Sequence, residues 1–331
     1  MYKVVISDSA LNNHKENNMK VLITGGAGFI GSNLAEYLLN EGHSVRILDD
    51  FSNGRRENLE GLQGELEVIE GSIEDAETCK KACGDGVDVV SHQAALGSVP
   101  RSIKFPELYS QINLHGFVNM VNAARQADIS RFVYASSSSV YGDSQESPKF
   151  EAKTGRPLSP YAASKISNEM FAHAFASVYP ISLIGLRYFN VFGPRQNPEG
   201  AYAAVIPLFV KHIYNGTSAS IFGDGEQSRD FTFINNVIQA NFKAMTSPDI
   251  KGSHAINIAC GHSYSVNDLF NAIKDILGKE CSPEYLEPRL GDVRSSLADI
   301  SAAKELIGYN PTIQLQEGLK KTVEWFVKTY Q

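Results

Sequence analysis

The feature that most constrains this chain is a β-branched run, Lys20–Thr24, that passes without a spacer into Gly25-Gly26-Ala27-Gly28-Phe29-Ile30-Gly31 and then into the helical stretch SNLAEYLLNEG. Glycines at 25, 28 and 31 let the turn close, let a diphosphate approach bare backbone, and let the helix pack onto the strand. The helix start adds unpaired N–H groups and a partial positive charge on the same side. A second strand follows and ends in Leu48-Asp49-Asp50. That puts a carboxylate about 20 residues past the glycines, where a ribose 2′-hydroxyl is gripped. The combination predicts dinucleotide binding, against a competing reading of a tight turn beside an exposed Asp-Asp. A carboxylate at Asp49 repels a 2′-phosphate, so NAD is expected over NADP. Arg55 and Arg56 keep the other cofactor open, unless they belong to a solvated loop.

The same alternation continues. Short β-branched runs at Lys20–Thr24, Ser44–Leu48, Leu66–Ile69, Val87–Ser91, Arg131–Ala135 and Ile181–Leu186 are separated by longer helical stretches. Apolar strands between helices are covered on both faces, which means a parallel sheet of right-handed βαβ units. The expected fold is α/β: a doubly wound (Rossmann) parallel sheet with a smaller mixed α/β substrate-binding cap. The regularity fails after about residue 190, where Pro194, Pro198, Pro207 and several glycines break the chain. The expected organisation is an N-terminal extension at 1–18 and an NAD-binding domain at 19–190 with a returning segment about 229–260. The cap takes 191–228 and 261–331, laid over the carboxyl edge of the sheet, where open α/β sheets bind ligands.

Composition narrows the function. With 331 residues, 43% of them hydrophobic, the chain has ample apolar surface to bury. A net charge of −7 argues against a nucleic-acid partner, which needs a basic face. No apolar run reaches the roughly 20 residues needed to cross a bilayer, and residues 1–18 lack the apolar core and cleavage site of a signal peptide. Met19, directly before the first strong strand, is a second candidate start. Cys79, Cys83, Cys260 and Cys281 complete no zinc pattern, so no metal is expected and buried thiols in a reducing cytoplasm are the better reading.

Among fourteen tyrosines, one is followed four residues later by lysine: Tyr161, in Ser159-Pro160-Tyr161-Ala162-Ala163-Ser164-Lys165. Ser159 suits an N-cap and Pro160 the first helical position, so a helix should start here with Tyr161 and Lys165 on one face. A free phenol, with a pKa near 10, is a poor base at neutral pH. A neighbouring ammonium and a pyridinium ring both favour the phenolate. The pair then suits a base that removes a hydroxyl proton while hydride leaves for NAD. A Tyr/Lys pair also arises by coincidence. Ser136-Ser137-Ser138-Ser139-Val140-Tyr141-Gly142, at the end of the fifth strand, adds hydroxyl donors at the sheet's carboxyl edge.

With these residues in view, the chain resembles the extended short-chain dehydrogenase/reductases. Within them it looks most like the nucleoside-diphosphate-sugar 4-epimerases. The resemblance runs from Met19 to the C-terminus through TGGAGFIG, LDDFSNG, HQAA at 92–95, SSSSVYG, SPYAASK, LRYFNVFGPRQ at 186–196, SRDF at 228–231 and RLGDVRSSLAD at 289–299. It implies a catalytic group of Ser137, Tyr161 and Lys165, with Ser138 assisting, and a tightly held NAD. The implied cofactor shell is Gly25, Gly28, Phe29, Ile30, Gly31, Asp49, Asp50, Phe51, Ser52, Asn53, Gly54, Ser72, Ile73, Gln93, Ala94, Ala95, Asn113 and Tyr188 together with Tyr161 and Lys165. Gly71-Ser72 departs from the family's Gly-Asp pair and removes one carboxylate from the adenine. The implied substrate shell is Gly97, Ser98, Ser137, Asn190, Ala204, Val205, Arg229, Arg289, Asp292 and Ser296. Paired arginines suit a diphosphate because their planar forks are bidentate. The alternative for Arg229 is a surface ion pair with Asp230.

Related dehydratases carry an Asp-Glu pair after the catalytic hydroxyl, and uronate decarboxylases a glutamate before the Val-Tyr-Gly. Here Ser138 and Ser139 stand instead, so 4-epimerisation through a 4-keto sugar is what remains. Ser296 takes the place of a bulky tyrosine of hexose-specific relatives and leaves room for a 2-acetamido group, unless it faces solvent; with Gly97-Ser98-Val99-Pro100-Arg101-Ser102 it makes the chain resemble the bacterial UDP-N-acetylglucosamine 4-epimerases. Hence UDP-GlcNAc/UDP-GalNAc is the expected pair, with UDP-Glc/UDP-Gal as a further pair. A UDP-uronate is the alternative; Arg101 or Arg294 then serves its carboxylate, and the competing reading of either is a surface or diphosphate contact. A non-catalytic dinucleotide sensor is a remoter one, disfavoured because the Tyr/Lys pair is kept. The long helices Pro106–Arg125 and Pro160–Val178 imply, by resemblance, a homodimer through a four-helix bundle.

Overall fold

The structure, a computed structural model, describes residues 18–199, 204–248, 250–288 and 294–330. The chain alternates strand and helix from the start. The elements are β1 (Lys20–Thr24), α1 (Phe29–Asn40), β2 (Ser44–Asp49), β3 (Leu66–Glu70), α2 (Ala76–Cys83) and β4 (Val89–His92). Next come α3 (Val99–Lys104), α4 (Pro106–Tyr109), α5 (Gly116–Gln126), β5 (Arg131–Ser137), α6 (Pro160–Val178) and β6 (Ser182–Tyr188). The chain continues through β7 (Val191–Phe192), α7 (Val205–Tyr214), β8 (Ser220–Phe222), β9 (Ser228–Asp230), β10 (Thr232–Phe233), α8 (Ile234–Thr246) and β11 (Ser253–Ile258). It closes with β12 (Ser263–Ser265), α9 (Val266–Leu277), β13 (Glu284–Leu286), β14 (Ser295–Ser296), α10 (Ser301–Ile307) and α11 (Leu315–Tyr330).

The central sheet has seven strands in the order β11-β6-β5-β4-β1-β2-β3. Every pairing in it is parallel. It is a Rossmann-like, doubly wound sheet with helices on both faces. The order reverses beside β1, and that switch point is where such sheets take a ligand. The apolar runs are buried as a two-sided sheet requires: Leu22, Ile23, Val133 and Ile184 have no exposed surface. Because all strands run one way, Thr24, Asp49, His92, Ser137 and Tyr188 end together at the carboxyl edge.

Two local differences from the sequence reading have physical causes. The fourth strand starts at Val89 rather than Val87, because Asp88 is spent on the edge of β1, where its carboxylate accepts the Lys20 N–H at 2.7 Å. The helix expected over Pro106–Arg125 is not uniform. A wider, π-helical turn at Ser110–His115 separates α4 from α5, and such turns re-aim the side chains they carry. Asn113 lies in it, and its amide holds both backbone groups of Leu96, accepting the N–H at 2.8 Å and donating to the carbonyl at 3.0 Å.

The cap is built from three small sheets. β10 pairs with β7, β13 with β8, and β9 lies between β12 and β14. The chain's return to the main sheet begins with α8, since β9 itself belongs to the cap. Asp230 fastens the two parts. Its fully buried carboxylate accepts the Cys260 and Gly261 N–H groups, both at 2.9 Å, just past β11, and the Ala298 N–H at 3.4 Å beyond β14. Burial pushes the carboxyl up to about 6 even though these N–H groups pull it back. Among the described residues no helix is long and apolar enough to cross a membrane.

Replacing Asp230 by alanine strands those N–H groups away from water, so it should cost about 3 kcal/mol of unfolding free energy, read from the urea midpoint. The raised carboxyl also has a sign. The folded chain holds this proton more tightly than the unfolded one, so the residue's contribution to stability should decline as pH climbs from the ordinary carboxyl range to about 6.

Candidate active site

The glycine turn works through what it lacks. Gly25 adopts φ +67°, and a Cβ there would lie 2.7 Å from the Ala94 nitrogen. On Gly31 a Cβ would meet the Gly26 Cα at 2.7 Å and run into the Gly25 carbonyl. Around Gly28 only the Gly25 oxygen is near, at 3.2 Å, so its other side is open. Gly28 caps α1 in an extended conformation with no side chain over the first N–H groups. Bare backbone at the positive end of a 12-residue helix fits the diphosphate of NAD. Asp49 braces this turn: its buried carboxylate accepts the Ala27 N–H and the Phe51 N–H, each at 2.8 Å. Burial raises its pKa and these bonds oppose the rise. A carboxylate has about four acceptor positions, so two remain for a ribose.

The turn opens into a cavity of about 900 Å³ along the carboxyl edge. Of the residues expected at the cofactor, Gly25, Gly28, Phe29, Ile30, Gly31, Asp49, Asp50, Ser52, Asn53, Gly54, Ser72, Ile73, Gln93, Ala94, Ala95, Tyr161, Lys165 and Tyr188 line it. Phe51 and Asn113 do not. Phe51 is turned under the Arg56 guanidinium, 3.9 Å from its ring, and Asn113 acts one layer behind the wall on Leu96. Arg56 is also engaged by Glu70 at 2.6 Å, whereas Arg55 lines the cavity with Glu199 3.5 Å away.

At the far end of β5 the chemistry converges. Ser159 accepts the Ala162 N–H at 3.1 Å and α6 begins at Pro160, which sets Tyr161 and Lys165 on the cavity wall. The Lys165 ammonium donates to the Ala135 carbonyl at 2.8 Å and lies 6.0 Å from the Tyr161 ring centroid. Burial lowers the ammonium to about 8, with Glu169 pulling it up. Burial likewise raises the Tyr161 phenol, a hydrogen bond with the Ser137 side chain lowers it, and Tyr109 raises it again. The protein's own groups therefore hold this phenol above its ordinary value. Ser137 also accepts the Ser139 N–H at 3.2 Å, which fixes its hydroxyl at the start of the turn Ser138–Tyr141. Ser138 is on the cavity wall beside it.

Of the residues expected at the substrate, Gly97, Ser137, Asn190, Arg229 and Ser296 line the same cavity. Ser296 pairs with Arg229 across β14 and β9. The alternative of a surface Arg229–Asp230 ion pair does not hold, because Asp230 is buried and bound to backbone N–H groups. Three of the expected residues stand off the wall. Ser98 caps α3 by accepting the Arg101 N–H at 3.2 Å, Ala204 is the exposed residue before α7, and Val205 packs against the core. Arg289 and Asp292 lie outside the described residues. Neither arginine expected for a uronate is on the wall. The Arg294 guanidinium is taken by Asp224 at 3.0 Å, and Arg101 follows the cap of α3.

The wall also holds groups the sequence reading did not single out. Lys149 is buried there and donates to the Ser144 carbonyl at 2.6 Å. Arg195 is held by Glu36 at 2.9 Å, and Gln196 donates to the Val191 carbonyl at 3.1 Å. Arg195 and Gln196 sat in the quoted run LRYFNVFGPRQ and could have been found there. Lys149 carries no pattern of its own.

The profile of the NAD dependent epimerase/dehydratase family matches residues 21–259. A UDP-glucose 4-epimerase of Mycolicibacterium smegmatis is 37% identical over 93% of this chain and 98% of its own length. The crystal structure of a Thermotoga maritima UDP-glucose 4-epimerase with UDP-glucose superposes with a TM-score of 0.89 at 38% identity, covering 95% of this chain and 100% of that one. A UDP-N-acetylglucosamine 4-epimerase from Methanobrevibacter ruminantium, in complex with UDP-N-acetylmuramic acid, gives 0.90 at 40% identity, covering 95% and 99%.

Asp49→Asn keeps one acceptor oxygen for two backbone N–H groups and a ribose. Calorimetric titration of the cofactor-free protein should show NAD binding weakened about tenfold; unchanged affinity would mean that the ribose is held elsewhere.

Proposed function

The chain belongs to the NAD-dependent epimerase/dehydratase family, and on that premise we propose that it is a UDP-sugar 4-epimerase that interconverts UDP-GlcNAc and UDP-GalNAc, with UDP-Glc and UDP-Gal as a further pair. The observation that carries the reading is the meeting of Ser137, Tyr161 and Lys165 in the cavity onto which the glycine turn opens. When bound, NAD accepts a hydride from sugar carbon 4 and returns it. The protein's side chains do the rest. Tyr161, with the Lys165 ammonium nearby and Ser137 hydrogen-bonded to it, takes the 4-hydroxyl proton and later gives it back. Arg229 and Asn190 stand where the nucleotide end can be held while the 4-keto sugar turns its other face. Ser138 and Ser139 offer no carboxylate for elimination, so reduction is the remaining exit.

Ser296 supports the choice of sugar. It is small, half-buried and on the cavity wall, so a 2-acetamido group meets a hydroxymethyl side chain there. Lys149 favours a second reading, a UDP-uronate, because an ammonium on the wall attracts a carboxylate. Its bond to Ser144 already occupies part of that ammonium. Partner chemistry is proposed too. Met170, Phe171 and Val178 on α6 and Ile103 on the adjoining α3 are exposed apolar side chains, which supports a homodimer through a four-helix bundle built on α5 and α6.

Tyr161→Phe should lose about 10²- to 10⁴-fold in turnover while retaining NAD, measured by product chromatography and cofactor absorbance. Unchanged conversion would sink the assignment. Against UDP-GlcNAc, UDP-Glc and the matching uronates, UDP-GlcNAc should give the highest kcat/KM. Ser296→Tyr should abolish its turnover and spare UDP-Glc; retention of both sugars would remove Ser296 from the specificity argument. Sedimentation should return twice the chain mass.

A further inference from the structure

Behind the catalytic group lies a buried ion pair that the mechanism above does not use. Arg187 on β6 grips Glu169 on α6 with both arms of its fork, Nε to Oε1 at 2.9 Å and Nη2 to Oε2 at 2.7 Å. Their side chains are 5% and 11% exposed. The pair is tied to the reacting side of the sheet. Ser136, directly opposite Arg187 in the β5–β6 register and next to Ser137, donates to Glu169 Oε1 at 2.5 Å. Arg187 Nη1 donates to the Tyr141 hydroxyl at 3.0 Å and to the Glu151 carbonyl at 3.0 Å. Tyr141 in turn donates to Asn257 at 2.6 Å. Glu169 stands four residues after Lys165 and eight after Tyr161, so all three share one side of α6. A bidentate pair of this kind fixes rotation as well as distance.

We propose that Glu169, clamped by Arg187 and Ser136, is a positioning residue for the reaction: it sets the rotation of α6 against β5 and so the placing of Tyr161 and Lys165. The inference rests on the epimerase reading. The groups around this position are few in kind. Lys165 meets His92 from β4, which burial holds neutral, and Tyr161 from its own helix. Glu169 meets Arg187 from β6, Tyr134 from β5 and Tyr141, whose phenols burial keeps protonated. Among the described residues, Glu169 is a carboxylate that pulls the buried lysine back up. Removing it leaves the ammonium less stable, so the amine loses its proton at lower pH.

Glu169→Gln keeps the shape and removes the charge. For this variant kcat should fall about tenfold or more with KM for the sugar little changed, because an angstrom-scale misplacement acts on the chemical step. The basic limb of its pH profile should move to lower pH. Titration of the Lys165 Cε resonance, assigned with Lys165→Arg and followed without sugar, should move the same way. The double variant Glu169→Gln/Arg187→Met leaves no uncompensated charge and guards against misfolding. It should keep the loss in kcat while its lysine titration moves back toward wild type, because the two charges it removes act on the ammonium in opposite senses. A lysine titration and pH profile equal to wild type in Glu169→Gln, or a wild-type kcat in the double variant, would overturn the proposal and reduce the pair to a structural tie. Wild-type protein that turned over no UDP-sugar would instead fell the epimerase reading, and the lysine titration would still decide this one.

Discussion

Lys165 keeps its amine in a place where the residue is only 3% exposed and spends it on the Ala135 carbonyl at 2.8 Å, so the start of α6 can sit against β5 in one way only. With the bond from Ser136 to Glu169, it ties the helix carrying the phenol to the strand carrying the serines. Burial makes the arrangement costly: it lowers the ammonium to about 8 and raises the Tyr161 phenol. Both shifts run against a phenolate–ammonium pair. The apoprotein therefore holds the two groups in readiness, and the cofactor's own charge completes the set.

The cofactor half of the cavity follows from a parallel sheet and from missing side chains. Parallel strands bring Thr24, Asp49, His92, Ser137 and Tyr188 to one edge, and glycines leave the backbone of the first turn exposed beside them. Asp49 serves two layers at once, bracing the Ala27 and Phe51 N–H groups while facing the cavity. Gln93 shows the same economy. Its amide donates to Asn241 and Ser91 and accepts from Tyr188, which links the wall to α8 behind it.

The sugar half depends on the cap and on how it is anchored. Arg229 faces the cavity because its neighbour Asp230 is pulled to the other side of β9 by backbone N–H groups from beyond β11 and β14. Ser296 reaches the wall through its register with Arg229. Neither placement has a local cause; both follow from the pairing of β9 with β14, segments far apart in the chain.

The strand–glycine–helix start, the alternating apolar runs, the Ser159 cap and the Tyr161/Lys165 spacing were legible because each is a local rule: periodicity, φ freedom and the pitch of a helix act within a few residues. The same rules found the carboxyl-edge serines. They did not find the π-helical turn at Ser110–His115, the burial of Lys149, or the Glu169–Arg187 clamp. Arg294, left open between a carboxylate, a diphosphate and the surface, is claimed by Asp224. Desolvation and charge pairing join residues far apart in the chain, so only the folded molecule decides them. The sequence by itself determined the kind of sheet, the coenzyme and the spacing that puts the Tyr161 phenol and Lys165 on one face of a helix. The tertiary structure decided which polar groups surround that phenol, and so what its proton and its neighbours can do.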